Sequence, residues 1–210
     1  MSIQILDCTL RDGGYINDWD FGRKAIVSIL DKLESAHIDI IECGFLTGMV
    51  HDPERSLYGS VADIETVLPR RKRESMYVAM IAIGEKELHP AKLAPYDGKS
   101  IEGIRLTFHQ DEIEQAVEWA KIIMDKGYKV FMQPVGTVFY TDMELLRLVE
   151  TINALHPYAF YIVDTLGSMY RNQVTHRFYL INENMDPGIH LGLRAIGGRL
   201  GESSILSRYI

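Results

Sequence analysis

The sequence predicts an α/β chain built as a parallel TIM-type (β/α)8 barrel that is incomplete, with about six to seven βα units in view. Three observations predict it. Short β-branched apolar runs alternate with longer amphipathic ones, with no hairpin signal between them, which is the pattern of βα units on a parallel sheet. The apolar runs begin near residues 3, 38, 76, 102, 128, 158 and 188, about 31 residues apart, which is the spacing of a barrel of about 250 residues. The first turn also lacks the glycine-rich dinucleotide fingerprint that the alternative, a doubly wound sheet, would carry.

The elements follow in order. Ile3 to Asp7 is the first strand. Phe21 to Ala36 places Ala25, Ile26, Ile29, Leu30 and Leu33 at helical spacing. Ile38 to Gly44 is a strand closed by glycine, and Val61 to Leu68 a short helix stopped by Pro69. Met76 to Ile83 and Gly103 to Phe108 are strands. Glu112 to Lys126 is a helix with Ile113, Ala116, Val117, Ala120, Ile123 and Met124 on one face, ended by Gly127. Tyr128 to Gln133 is a strand, Asp142 to Leu155 a helix with Thr141 as its N-cap, Ala159 to Val163 a strand and Asn172 to Asn184 a helix. A seventh strand begins at Gly188 and runs to Leu193. The 17 residues after it do not read as helix and strand, so residues 1–193 are expected to form one partial barrel domain and 194–210 an irregular tail. A parallel sheet left open in this way exposes its edges, and self-association into a homo-oligomer is the expectation.

With 22 basic and 29 acidic side chains the formal charge is −7, which disfavours a nucleic-acid binder. The one basic run, Arg70 to Arg73, reads as a solvated helix end. No apolar run is long enough to cross a membrane, and the N-terminus does not read as a signal peptide. Cys8 and Cys43 make no disulfide framework, so a cytoplasmic setting is expected.

In a parallel barrel the chemistry sits at the C-terminal ends of the strands. Arg11 and Asp12 follow the first strand there, Glu42 ends the second, and Arg105 lies in the fourth with Thr107 and His109 at its end. Gln133 ends the fifth strand, and Asp164 and Thr165 end the sixth. Arg11, Asp12, Glu42, Arg105, Asp164 and Thr165 are the candidates for substrate binding. Carboxylates and hydroxyls meeting at one rim suit a hard divalent cation. Each residue also has a structural reading. Asp12 before two glycines suits a turn, Glu42 and Arg105 suit a salt bridge inside the barrel, and Asp164 with Thr165 suits a helix cap. Tyr15, Trp19 and Phe21 suit a lid over the mouth. His51, His89, His156 and His176 read as structural.

Leu6 to Gly14, reading LDCTLRDGG, is similar to the first-strand signature of the DRE-TIM metallolyase superfamily. That superfamily includes HMG-CoA lyase, 4-hydroxy-2-oxovalerate aldolase, and the isopropylmalate and homocitrate synthases. Ile40 to Gly44 resembles its second strand and Tyr161 to Met169 its sixth. The resemblance runs from about residue 3 to residue 192 and is nearest to the aldolase branch. It implies a TIM barrel holding one divalent metal, Mn²⁺ or Mg²⁺, that cleaves a carbon–carbon bond of a small 4-hydroxy-2-oxo acid through an enolate. It implies Asp12 as a metal ligand, Arg11 as the group that steadies the enolate oxygen, and Thr165 as a substrate contact.

The sequence departs from that pattern twice. Tyr15 stands where the aldolases carry the histidine that serves as general base, and an ordinary tyrosine is a poor base at neutral pH. The His-x-His pair that completes the metal site is missing, with Arg194 and Ile196 near its expected positions and His190 too early on the strand. Metal affinity is therefore expected to fall by orders of magnitude, and the cation to have been lost. The sequence leaves two readings open: a metal-dependent aldolase or lyase with Arg11 and Tyr15 as catalytic residues, or a catalytically impaired or non-catalytic barrel fragment.

Overall fold

The computed structural model describes residues 3–195. The strands are β1 (Leu6–Asp7), β2 (Ile40–Leu46), β3 (Leu57–Tyr58), β4 (Met76–Ala82), β5 (Gly103–Phe108), β6 (Lys129–Pro134), β7 (Ala159–Asp164) and β8 (His190–Ala195). All are parallel, in the order β1-β2-β4-β5-β6-β7-β8, with the two-residue β3 laid beside the end of β2. The helices are α1 (Thr9–Asp12), α2 (Gly14–Asn17), α3 (Arg23–Ser35), α4 (Val61–Glu65), α5 (Ile113–Asp125), α6 (Asp142–Leu155) and α7 (Arg171–Asn182). The seven strand signals of the sequence correspond to β1, β2 and β4 to β8, and the sheet is that of an incomplete barrel.

The strand β5 and the helix α6 fall at their expected bounds. Helix α6 starts where it does because Thr141 and Glu144 satisfy each other's backbone. The Glu144 N–H donates to the Thr141 hydroxyl (3.3 Å), and the Glu144 carboxylate accepts from the Thr141 N–H (2.8 Å). The basic run lies in the connection between α4 and β4, and Arg71 donates to the Asp31 carbonyl and the Ser35 hydroxyl near the end of α3. Three short elements have no periodicity to reveal them: α1, α2 and β3. A single side chain sets α1, because Asp7 accepts from both the backbone and the hydroxyl of Thr9 at 2.9 Å and so turns the chain straight out of β1.

Strand alternation sorts the core into two layers. Tyr77, Ala79 and Ile81 of β4 face the helices, in one cluster with Ile104, Leu106, Ile123, Leu148, Ile152 and Phe160. Val78 points the other way, into the barrel, with Ile40, Phe131, Ala159, Tyr161 and Val163. Above that layer sit Met80 and Ala82 with Phe45 and Trp19. The barrel is thus filled at its base and polar towards the strand C-termini.

Among the described residues no backbone pairing joins β1 to β8. The sheet nevertheless curls far enough for Arg194, near the end of β8, to donate to Asp12, just past β1, at 2.8 Å. Ile196 and the rest of the expected tail lie outside the described residues. No described helix is long and apolar enough to cross a membrane.

Candidate active site

The helical turn α1 carries Arg11 and Asp12 over the end of β2. Arg11 Nε donates to Glu42 Oε2 at 2.5 Å, and Arg11 Nη1 meets Asp12 Oδ1 at 2.6 Å. Glu42 also contacts Arg105 Nη1 at 2.8 Å, and Arg105 Nη2 donates to Gln133 Oε1 at 2.8 Å. Arg194 completes the chain of contacts through Asp12. On the other carboxylate oxygen, the Cys8 thiol donates to Asp12 Oδ2 at 3.1 Å.

This network leaves donors over. Arg11 Nη2, Gln133 Nε2 and Arg194 Nε are buried and have no hydrogen-bond partner among the described residues. All three residues line one cavity of about 570 Å³ at the strand C-termini, together with Asp12, Tyr15 and Thr165. Arg11 is only 3 % exposed and Gln133 1 %. Buried donors without partners are costly, so a concave wall of them favours an anionic or carbonyl-bearing ligand.

Electrostatics fix the protonation states. Burial opposes the charge on Arg11, but Glu42 and Asp12 outweigh it and hold the guanidinium protonated. Burial likewise opposes the Asp12 carboxylate, and Arg11 and Arg194 prevail, holding it below the usual carboxylate range. The Cys8 thiol is pushed up to about 11 by burial and by the charges of Glu42 and Asp12. The Tyr15 phenol is also raised, by burial first and by Glu85 and Asp12 against the opposing pull of Arg11. Tyr15 thus remains a proton donor at neutral pH.

Two glycines allow the close packing beneath Arg11. A Cβ on Gly14 would lie 2.1 Å from the Trp19 ring, and one on Gly44 (φ +142°) would lie 2.0 Å from the Ser56 carbonyl oxygen. Ser56 in turn donates to the Leu10 carbonyl at 2.7 Å. Of the expected lid, Trp19 is buried as a strut under Arg11, Phe21 packs against the core, and Tyr15 alone reaches the cavity.

The candidates therefore divide by place. Arg11, Asp12, Tyr15 and Thr165 line the cavity, as do Thr107, His109 and Gln133. Glu42 and Arg105 are fully buried and do not line it. Asp164 is buried with its oxygens accepting from the N–H groups of Ser168 (3.0 Å) and Met169 (3.1 Å), so it shapes the loop after β7. The Thr165 hydroxyl accepts from the Gly136 N–H at 3.0 Å. Sequence reasoning missed Cys8, whose position four residues before Asp12 would have placed it beside that carboxylate once α1 was seen. It also missed that Arg194 pairs with Asp12.

A divalent cation does not fit the donors present. Such ions take several oxygen or imidazole ligands. The oxygens of Asp12 already receive two guanidinium contacts and a thiol. Among the described residues no group of three or more His, Cys, Asp or Glu could hold a metal, and Arg194 adds a positive charge beside Asp12.

No family model matches the chain. A curated 4-hydroxy-2-oxovalerate aldolase from Spirochaeta aurantia is 26 % identical over 204 residues, covering 92 % of this chain and 57 % of that relative. The chain thus spans a little over half the length of the relative. Among solved structures, an N-terminal domain from Bacteroides vulgatus assigned to an aldolase superimposes with a TM-score of 0.73 at 22 % identity, covering 92 % of this chain and 64 % of that one. The HMG-CoA lyase from Brucella melitensis gives 0.66 at 12 % identity, covering 94 % and 74 %. These structures share the fold, and the curated relative bears the name of the aldolase branch to which LDCTLRDGG pointed. The chain is a TIM-type α/β barrel protein, incomplete over its described residues and similar to the aldolases and lyases of the DRE-TIM metallolyase superfamily.

Proposed function

We propose that the mouth of this barrel binds a small 2-oxo acid and derives from an aldolase or lyase that cleaves a carbon–carbon bond through an enolate. The observation that carries the reading is Arg11, buried, locked to Glu42 and Asp12, with Nη2 unpartnered among the described residues at the cavity wall. When the C3–C4 bond of a 4-hydroxy-2-oxo acid breaks, the 4-hydroxyl loses its proton and the bond's electron pair moves towards the 2-oxo oxygen. A fixed guanidinium facing that oxygen lowers the energy of the charge as it forms, and needs no reorganisation to do so. Tyr15, protonated at neutral pH, suits proton delivery to the product enolate. Removal of the hydroxyl proton needs a different group. The name of the curated relative, which contains a 2-oxo acid, supports the same substrate class.

A second reading is favoured by the contact between Arg194 and Asp12: a barrel that binds this class of ligand and turns nothing over. One experiment separates the two. The protein is incubated with 4-hydroxy-2-oxovalerate, and release of pyruvate is followed by a coupled NADH assay. Pyruvate release by the wild type, lost in Arg11→Lys, supports the enzyme. Saturable binding without release supports the inactive barrel, and absence of binding removes both.

A further inference from the structure

We propose that Arg194 takes over the place of a cation at this mouth, so that the chain binds a planar 1,2-dioxygen anion, such as a 2-oxo acid or oxalate, through two guanidiniums and without a divalent metal. This rests on the reading of the mouth as a 2-oxo acid site and goes beyond it by assigning the positive charge to a side chain.

The argument is one of position, charge and unused donors. Arg194 and Arg11 contact the same oxygen, Asp12 Oδ1, from opposite ends of the chain, at 2.8 and 2.6 Å. That shared oxygen holds the two guanidiniums side by side on one cavity wall. Each keeps a buried nitrogen with no partner among the described residues, Nη2 on Arg11 and Nε on Arg194, and Gln133 Nε2 adds a third such donor on the same wall. The contact network joins Arg11, Arg105 and Arg194 to Asp12 and Glu42. Within that network three cations face two anions, and Glu85 on the same cavity wall balances the remaining charge, so a bound carboxylate is held by directed guanidinium donors rather than by a net charge. Arginine suits the task because it stays charged and presents its donors in a plane, as carboxylate recognition requires.

The same geometry makes a metal a competitor. To reach Asp12 a cation must displace Arg194 from it and still lie beside Arg11, where it is repelled. Asp12 therefore acts as the post that holds the arginines, and it carries a charge that opposes the bound anion.

Isothermal titration of the whole chain with oxalate tests this, once in EDTA and once with Mn²⁺. The expected result is binding in EDTA that changes less than twofold when Mn²⁺ replaces the chelator. Arg194→Ala is expected to weaken oxalate at least tenfold. Asp12→Asn keeps an amide oxygen that accepts from both guanidiniums and removes the charge that opposes the anion, so it is expected to keep or tighten binding, whereas a site in which Asp12 held a metal would lose it; this variant decides the matter even if Arg194→Ala does not fold. Binding that requires Mn²⁺, or that survives Arg194→Ala unchanged, or that is lost in Asp12→Asn, overturns the inference and leaves the 2-oxo acid reading standing. Absence of oxalate binding under both conditions overturns that reading as well.

Discussion

The indole Nε1 of Trp19 donates to the main-chain oxygen of Arg11 at 2.9 Å, so the backbone that presents the guanidinium is fixed from below by an aromatic ring. Trp19 itself sits in the left-handed region (φ +59°), next to Asp18 at φ +56°. Two such residues in succession are unfavourable on their own. They are held by the Trp19 N–H on the Gly14 carbonyl (3.0 Å) and by Arg55 on the Asp18 carboxylate (2.8 Å).

That arrangement predicts the effect of Gly14→Ala. The added methyl would overlap the Trp19 ring, forcing the strut away from Arg11. We expect a loss of about 2–3 kcal/mol in urea unfolding, as for an overpacked core, together with a shift in tryptophan emission. A variant with wild-type stability and emission would contradict it.

Glu42 is fully buried between two guanidiniums. Glu42→Gln keeps the shape and removes the charge, leaving Arg11 and Arg105 without their common counter-ion. The expected cost is about 3 kcal/mol, read as a lowered denaturant midpoint. By the same reasoning Arg11→Ala disturbs the fold as well as the site, and Arg11→Lys is the better probe of function.

Glu34 predicts a pH dependence remote from the mouth. Its carboxylate accepts from the Glu74 N–H (2.6 Å), the Ser75 N–H (3.4 Å) and the Tyr77 hydroxyl (2.7 Å), tying the end of α3 to the start of β4. Burial opposes the charge, but these donors outweigh it and hold the group below the ordinary glutamate range. A depressed carboxylate stabilises the fold above its unfolded value and loses that contribution as the pH falls through its folded one. Glu34→Gln should therefore be less stable than the wild type at pH 7, with the gap closing as the pH falls below about 4. A gap unchanged down to pH 3 in thermal melts would refute this.

Among the described residues the outer edges of β1 and β8 carry no backbone pairing, which predicts self-association. Sedimentation of the whole chain should show species heavier than the monomer, increasing with concentration. A single monomeric boundary across the range would count against it.

Much of this was legible in the residues because the strands and long helices are periodic. The β4 alternation and the apolar face of α5 report burial directly, and Thr141 marks a helix start by its chemistry. The mouth was legible in part: strand ends located Arg11, Asp12, Gln133 and Thr165. What the sequence did not show are relationships made by tertiary closeness. Asp164 turned out to serve its own loop because Ser168 and Met169 fold back over it. Arg194 read only as a residue near the place of an expected histidine, and the curl of the sheet shows it beside a carboxylate 182 positions away.

The contact of Arg194 with Asp12 gives the ring a clasp in place of a seam. Among the described residues six neighbouring pairs of main strands are laced by backbone ladders that dissolved ions barely affect, whereas β1 and β8 meet through opposite charges that are partly open to water. Ionic strength thus becomes a handle on the shape of the molecule: concentrated salt weakens the clasp by screening while the laced strands stay together, and the barrel loosens along that one line.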